Sequence, residues 1–155
     1  MSSVDDSVIQ VSLLDTHGLI TEGSICRLRE IAAQSPQRRA RILLHRSQQD
    51  PVQAMLICLM RGSTVGMHKH PPGKPEFYVI VEGELAVDIR GEISVDRFVI
   101  SSAKGMPKVF FTRGNVWHEP SSQSDFAIYF EVYQGPFNKE TDVIYYKDVH
   151  RIAHQ

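Results

Sequence analysis

Three histidines and one glutamate have the residue types and spacing of a metal site. His68 and His70 are two residues apart on a predicted strand, so both imidazoles should lie on one face with Cα atoms roughly 6.6–6.8 Å apart. Both could then reach one ion at ~2.0–2.2 Å. The proline-rich loop Pro71–Pro75 cannot continue a ladder, so Glu76 should begin the neighbouring strand near the same end of the sheet.

The fourth candidate ligand, His118, follows the turn residues Gly114 and Asn115, which tolerate positive φ and would direct what comes next. Three imidazoles and a carboxylate suit one divalent transition metal, which could be Fe, Mn, Zn, Ni or Co. They do not suit Ca²⁺ or Mg²⁺, which prefer oxygen ligands. A lone His-x-His pair is more often a surface coincidence, whereas the complete set is more specific.

The other four histidines lie outside the predicted strand core: His17, His45, His150 and His154. The last two are four residues apart, so they could share a metal only if the C-terminal tail were helical.

The elements that must position these side chains are mostly short strands. A helix is predicted from Thr21, with apolar residues at helical spacing, and Ser35-Pro36 ends it. The candidate strands, separated by turn signals, are 53–61, 65–70, 76–81, 84–90, 93–100, 108–112, 116–118 and 126–133. Strands at this spacing predict an all-β sandwich or barrel.

Turn residues organise the remainder. Glu82-Gly83 and Gly91-Glu92 each predict a hairpin. The tail after Gly135-Pro136 carries apolar residues at 143–146 that should pack back on the barrel. We therefore expect an N-terminal extension with one helix over residues 1–50, a barrel over 51–137 and a C-terminal tail over 138–155.

The composition is that of one globular domain. The chain has 155 residues, of which 42% are hydrophobic and 23% charged, so a core can form without a metal. A net charge of −1 argues against a nucleic-acid binder. The run Arg38-Arg39-Ala40-Arg41 is more typical of a solvated face than of a phosphate-binding one.

No membrane span or signal peptide is expected. The longest apolar run, Met55–Met60, is six residues, far below the ~18 of a membrane span. The N-terminus lacks the basic and apolar segments of a signal peptide, so a cytoplasmic location is the expectation. Cys26 and Cys58 have no metal or redox spacing and are expected to be buried free thiols.

The glycine frame around the candidate ligands resembles the first motif of the cupin superfamily. Five residues separate Gly62 from His68-x-His70, five separate His70 from Glu76, and six separate Glu76 from Gly83. The gap before the glutamate is slightly longer than usual.

The second cupin motif is matched at its centre. The sequence there runs from Arg113-Gly114-Asn115 to His118, with Arg for the usual Pro, Asn for the usual Gly and Ser122 for the usual Asn. Asn can adopt the turn conformation that Gly supplies, so the resemblance also implies His118 as a ligand.

Over residues 35–142 the chain looks like the WbuC-type cupin metalloproteins, named after a gene found among bacterial surface-polysaccharide genes. The matching residues are Ser35-Pro36, Leu44-His45, Asp50-Pro51-Val52-Gln53, the His68–His70 block, Glu131-Val132, Gly135-Pro136-Phe137 and Thr141-Asp142. The resemblance implies an all-β, single-domain cupin jelly-roll barrel (a double-stranded β-helix) with a short N-terminal helical extension and a metal at the barrel mouth. It implies no reaction.

Other side chains could line the pocket or support the ligands. Alternation from Glu76 puts Tyr78 inside the barrel, where a core role outweighs proton donation. Glu131 could orient a ligand histidine if its face of strand 126–133 lines the lumen, a choice that the sequence leaves open. Arg41 and His45 could hold an anionic substrate, although a surface role is the simpler interpretation.

Two functions remain open. One is a small metalloenzyme of dioxygenase, isomerase or epimerase type, acting on a small polar metabolite, a sugar or an organic acid. The other is a non-catalytic, metal-dependent protein that binds such a ligand. The sequence also leaves a homodimer open, and fold alone does not choose between the functions.

Overall fold

The computed structural model describes residues 7–10 and 17–150 of the chain. Strands dominate this part. In chain order the elements are β1 (Val8–Gln10), α1 (Glu22–Gln34), β2 (Arg39–Leu43), β3 (Val52–Met60), β4 (His68–Lys69), β5 (Glu76–Arg90), β6 (Val95–Ser101), β7 (Val109–Thr112), β8 (Trp117–Gln134), β9 (Ile144–Tyr145) and α2 (Tyr146–His150).

The two long strands, β5 and β8, run antiparallel to each other and connect the two halves of the fold. The first half of β5 pairs with β7, and its second half pairs with β6. The end of β8 pairs with β3, which continues through β2 to β1, whereas the start of β8 pairs with β4. Both halves contribute to one interior cluster, so the sheet folds over on itself as a jelly roll.

The predicted hairpin at Glu82-Gly83 is wrong. The predicted strands 76–81 and 84–90 are one strand, β5, in which the register with β8 shifts on either side of Gly83. This is a β-bulge that bends the strand without ending it. Gly83 has φ +79°, and a Cβ there would overlap the backbone carbonyl of Phe126. The second predicted hairpin, at Gly91, is present between β5 and β6.

Two further strand predictions need correction. Strands 116–118 and 126–133 are parts of the single strand β8, and the predicted strand 65–70 is reduced to β4. The arginine run, expected to be a solvated face, supplies β2. Its residues alternate: Ala40 and Ile42 are buried, while Arg41 is exposed on the other face.

The predicted helix is confirmed as α1. Thr21 caps it, because the Thr21 hydroxyl accepts a hydrogen bond from the backbone N–H of Ser24 and Ser24 reciprocates. Leu28 and Ala32 are fully buried against β2, β3 and β8, on the outer face of the sheet. The helix thus covers one side of the sheet while the interior cluster fills the other.

The tail returns to the sheet at β9, which pairs with His68 and Lys69 of β4.

Cys58 is buried and Cys26 is half-buried, and both are free thiols. Among the described residues, no helix has the length and apolar character needed to cross a membrane.

Candidate metal centre

The structure brings the four predicted ligands together. His68 and His70 flank Lys69 on or beside β4, Glu76 is the first residue of β5 and His118 lies at the start of β8. One potential ligand atom from each lies within 4.8 Å of the others. All four side chains are no more than 5% exposed, so the group lies in the interior of the barrel.

Two loops hold the ligand-bearing strands in place. The turn residues Gly114 and Asn115 have positive φ, and the Asn115 N–H donates to the carbonyl of His70 at 2.7 Å. A Cβ on Gly114 would overlap the carbonyl of Pro71, so only glycine allows the two loops to approach this closely. This contact fixes His118 relative to His70.

Each histidine is oriented through its Nδ1 atom by a backbone carbonyl. The distances are 2.7 Å from His68 to Gly66, 2.6 Å from His70 to Asp142 and 2.9 Å from His118 to Val116. A carbonyl oxygen only accepts hydrogen bonds, so Nδ1 carries the proton in every ring. In the neutral ring each Nε2 then has a lone pair, which is the tautomer that a metal ligand requires.

The inner atoms of the group lack hydrogen bonds. Glu76 Oε1 lies 3.3 Å from His70 Nε2, and Glu76 Oε2 lies 2.9 Å from His118 Nε2. Within the described part of the chain, His70 Nε2, His118 Nε2 and Glu76 Oε2 are buried with no hydrogen-bond partner in acceptable geometry. Buried polar atoms seldom stay unpaired. A divalent cation among them would satisfy all three, so the donor set fits a transition metal.

The electrostatics of the group support these ligand states for His68 and Glu76. Burial, followed by the charge of His118, lowers the pKa of His68 from 6.5 to about 4. Burial raises the pKa of Glu76, but the two imidazoles beside its carboxylate, His118 and His70, outweigh burial and leave that pKa low. Burial opposes protonation of His70, yet Glu76 and the Asp142 carbonyl raise its pKa overall. The carboxylate is therefore ionised, and His68 is neutral at pH 7.

An ion pair behind His70 was not predicted. Lys74 Nζ donates to Asp142 Oδ2 at 2.6 Å and to the carbonyl of Pro136 at 2.6 Å. The Asp142 carboxylate also accepts from the backbone N–H of Asn138 at 3.1 Å. This pair holds the segment whose carbonyl orients His70. Asp142 belongs to the sequence resemblance, but neither residue had a signal for this role.

The structure settles which face of strand 126–133 lines the interior. Tyr129 and Tyr133 are buried in the barrel, and Tyr129 belongs to the interior cluster, so alternation places Glu131 on the same side. Ile128 packs under α1 on the other face. Tyr78 is also interior, and its ring centroid lies 6.3 Å from that of His118 and 5.1 Å from that of Tyr129.

Glu131 does not orient a ligand histidine, because all three Nδ1 atoms bond to backbone carbonyls. Burial and the charge of Glu76 raise its pKa well above the ordinary range, while the charge of Arg41 lowers it. Glu131 is half-buried in the interior beside the ligand group. It thus shares the interior face of the barrel with Tyr78 and Tyr129.

The other candidate residues have different positions. Arg41 is exposed, and its charge reaches Glu131. His45 is not part of the ligand group; its Nδ1 lies 3.0 Å from the carbonyl of Ala54. His150 ends α2, and His154 lies outside the described residues.

Residues 20–94 match a family described as a domain of unknown function (DUF6016). No curated protein matches the chain significantly.

Several solved structures share the fold at low sequence identity. Oxalate oxidase in complex with the substrate analogue glycolate is 16% identical, with a TM-score of 0.55 over 74% of this chain and 58% of that one. CapF, a capsular polysaccharide assembling protein from Staphylococcus aureus, is 19% identical, with a TM-score of 0.54 over 63% of this chain and 27% of that one.

Oxalate decarboxylase from Bacillus subtilis is 16% identical, with a TM-score of 0.54 over 69% of this chain and 26% of that one. The chain thus spans less than two thirds of the length of each of these proteins. Likeness at this level of identity bears on architecture only. The barrel with its N-terminal helix has the cupin fold.

Proposed function

We propose that this chain binds one divalent transition metal, of the set Fe, Mn, Zn, Ni and Co, through His68, His70, Glu76 and His118. The observation that carries the proposal is the set of buried, inward-facing ligand atoms that lack hydrogen bonds. Three histidines that present Nε2 as the metal-binding atom and one ionised carboxylate match the ligand preference of these metals. Such an ion, when bound, supplies Lewis-acid or redox chemistry to a coordinated oxygen group.

The function that this centre supports best is a small metalloenzyme of dioxygenase, isomerase or epimerase type. Four protein ligands leave one or two positions of a five- or six-coordinate ion for a substrate. The residues that would meet the substrate are Tyr78, Tyr129 and Glu131, which face the interior next to the ligand group. Burial raises the pKa of both tyrosines well above 10, so their hydroxyls stay protonated and act as hydrogen-bond donors.

The substrate we propose is a small polar metabolite or sugar derivative. Two of the similar structures are named for oxalate chemistry, and one of them was solved with glycolate. CapF is named as a capsular polysaccharide assembling protein. Together with the resemblance to WbuC-type cupins, that name supports a role in bacterial surface-polysaccharide metabolism.

A non-catalytic, metal-dependent binding protein is the second candidate. It is favoured by the same tyrosines, because a phenol whose pKa is raised by burial cannot serve as a base near pH 7. Under this alternative the interior holds a ligand without turnover.

The test is to load the protein with Fe(II) and expose it in air to a panel of sugars and small organic acids. Product formation that is lost in His118→Ala supports the enzyme. Saturable binding without product supports the binding protein. If neither the panel nor elemental analysis shows any dependence on His118, the proposed metal centre is wrong.

A further inference from the structure

The barrel interior carries buried hydroxyls that the metal ligands do not use. Tyr78 is 1% exposed and Tyr129 is 0% exposed, and neither hydroxyl has a hydrogen-bond partner among the described residues. Buried hydroxyls in proteins seldom lack a hydrogen-bond partner. Two such groups, on rings 5.1 Å apart, indicate a place built to bind oxygen atoms of a ligand.

A carboxyl group belongs to the same place. Glu131 lies opposite Tyr78 in the ladder between β5 and β8, so their side chains lie next to each other on the interior face. No hydrogen bond or ion pair of the Glu131 side chain is found in the described part of the chain. A carboxyl group beside phenols can exchange hydrogen bonds with ligand hydroxyls in either protonation state.

Arg41 brings positive charge to this face. Its neighbours Ala40 and Ile42 pack under α1, so Arg41 points to the barrel side of β2. It pairs with Ile57, a member of the interior cluster, which in turn pairs with Tyr129. Its guanidinium has no ion-pair partner within 4 Å among the described residues, although its charge reaches Glu131.

The net charge and the packing of the barrel interior indicate which class of ligand it would bind. A divalent ion and Arg41 carry three positive charges against at most two negative ones from Glu76 and Glu131, so the interior would attract an anion. A guanidinium matches a carboxylate with two parallel hydrogen bonds. The interior is packed closely, with Tyr129 and Leu85 fully buried, so the anion must be small.

We propose that the interior binds a small hydroxycarboxylate, whose carboxylate is drawn by Arg41 and whose hydroxyl is recognised by Tyr78, Tyr129 and Glu131. This inference rests on the proposed function, because it places the ligand beside the metal. It goes further by naming the ligand class and by making Arg41 and Tyr129 its specificity residues.

The test uses three probes with three carbons each. Lactate has a carboxylate and a hydroxyl, propionate lacks the hydroxyl, and 1,2-propanediol lacks the carboxylate. Each is titrated calorimetrically into Zn(II)-loaded parent protein, Arg41→Gln and Tyr129→Phe. Arg27→Gln is the control, because Arg27 is exposed on α1, the helix that covers the outer face of the sheet.

Lactate is expected to bind most tightly to the parent protein. Arg41→Gln should weaken lactate at least about tenfold, the effect of losing a charge-assisted hydrogen-bonded pair. Tyr129→Phe should weaken lactate binding about fivefold while leaving propionate binding nearly unchanged. Arg27→Gln should bind as the parent does.

Metal content, measured on the same samples, separates this inference from the proposed function. If zinc is bound but lactate binds no better than propionate, or Arg41→Gln equals the parent, the inference is wrong and the metal centre stands. If the chain retains no zinc, the proposed metal centre is wrong. In that case, lactate binding that still depends on Arg41 would support the anion site. Absence of lactate binding would overturn the anion site as well.

Discussion

His70 Nδ1 donates to the backbone carbonyl of Asp142 at 2.6 Å, across 72 residues of sequence. The Asp142 carboxylate in turn accepts from Lys74, which lies on the loop directly after His70. A candidate metal ligand is thus oriented by a loop from the far end of the chain. The ion pair between Lys74 and Asp142 joins that loop to the ligand's own loop.

This relationship predicts that Asp142→Asn weakens metal binding although Asp142 is not a ligand. The amide keeps the shape but removes the charge that holds Lys74, so the carbonyl that orients His70 becomes less fixed. A loss of about tenfold in affinity is expected, as is typical of outer partners of a ligand. Chelator competition measures it.

Asp50→Asn is the matched control. Asp50 also accepts from a backbone N–H and from a basic side chain, both of Arg46, in a loop that does not contact the four ligands. The metal affinity of Asp50→Asn should equal that of the parent protein. Equal affinities for Asp142→Asn and the parent would show that the ion pair does not act on the centre.

Glu76→Gln should weaken metal binding by at least about tenfold. The carboxylate lies against two imidazole Nε2 atoms and reduces the charge of a site in which unbalanced charge is costly. Glu82→Gln is the comparison, because Glu82 lies on the same strand but pairs with Arg29 of α1 at 3.7 Å. If the two variants bind a metal equally well, Glu76 is not a ligand.

Metal affinity should fall as the pH falls, and His68 and His70 should contribute differently to that fall. His70, whose pKa is raised above 6.5, must lose a proton to bind the ion, so affinity drops as pH falls from about 7 to about 5. His68 has a pKa of about 4, so it carries no proton in this window and contributes nothing to the slope.

The slope of log affinity against pH should therefore stay below three between about pH 5 and about pH 7, because His68 releases no proton there. Chelator competition across this range gives the value. A slope of three would mean that His68 is protonated in the metal-free protein, contrary to the effect of its burial.

Gly83→Ala should destabilise the fold by about 1–3 kcal/mol. Gly83 has φ +79°, and the added Cβ would meet the carbonyl of Phe126. Gly91→Ala should change stability by less than about 0.5 kcal/mol, because its Cβ would lie 3.7 Å from the nearest atoms, a normal contact. Urea denaturation of both variants tests whether the bulge requires glycine at position 83. Similar midpoints for the two variants would argue against the bulge.

The grouping of the four side chains could be predicted because it depends on residue types and local alternation. His68 and His70 share a face in any regular strand, and Gly114 before His118 indicates a tight turn. The partners of the Nδ1 atoms could not be predicted, because a backbone carbonyl such as that of Asp142 carries no residue-type signal.

The missed strand β2 has a different cause. Arg39–Leu43 alternates charged and apolar residues, a strand pattern, but the density of arginine favoured a solvated face. The bulge at Gly83 was misread because a glycine in a strand marks either a turn or a bend. Only the partner strand β8, which continues past it, distinguishes the two.

The most direct test of the account is titration of the metal-free protein with Co(II), followed by visible absorption and elemental analysis. We predict saturation at one Co(II) per chain, with d–d bands of a nitrogen and oxygen ligand set. The double variant His68→Ala with His70→Ala should lose both signals but keep a cooperative melt, because the hydrophobic clusters form without the ion. Absence of stoichiometric binding to the parent, or equal binding by the double variant, would contradict the account.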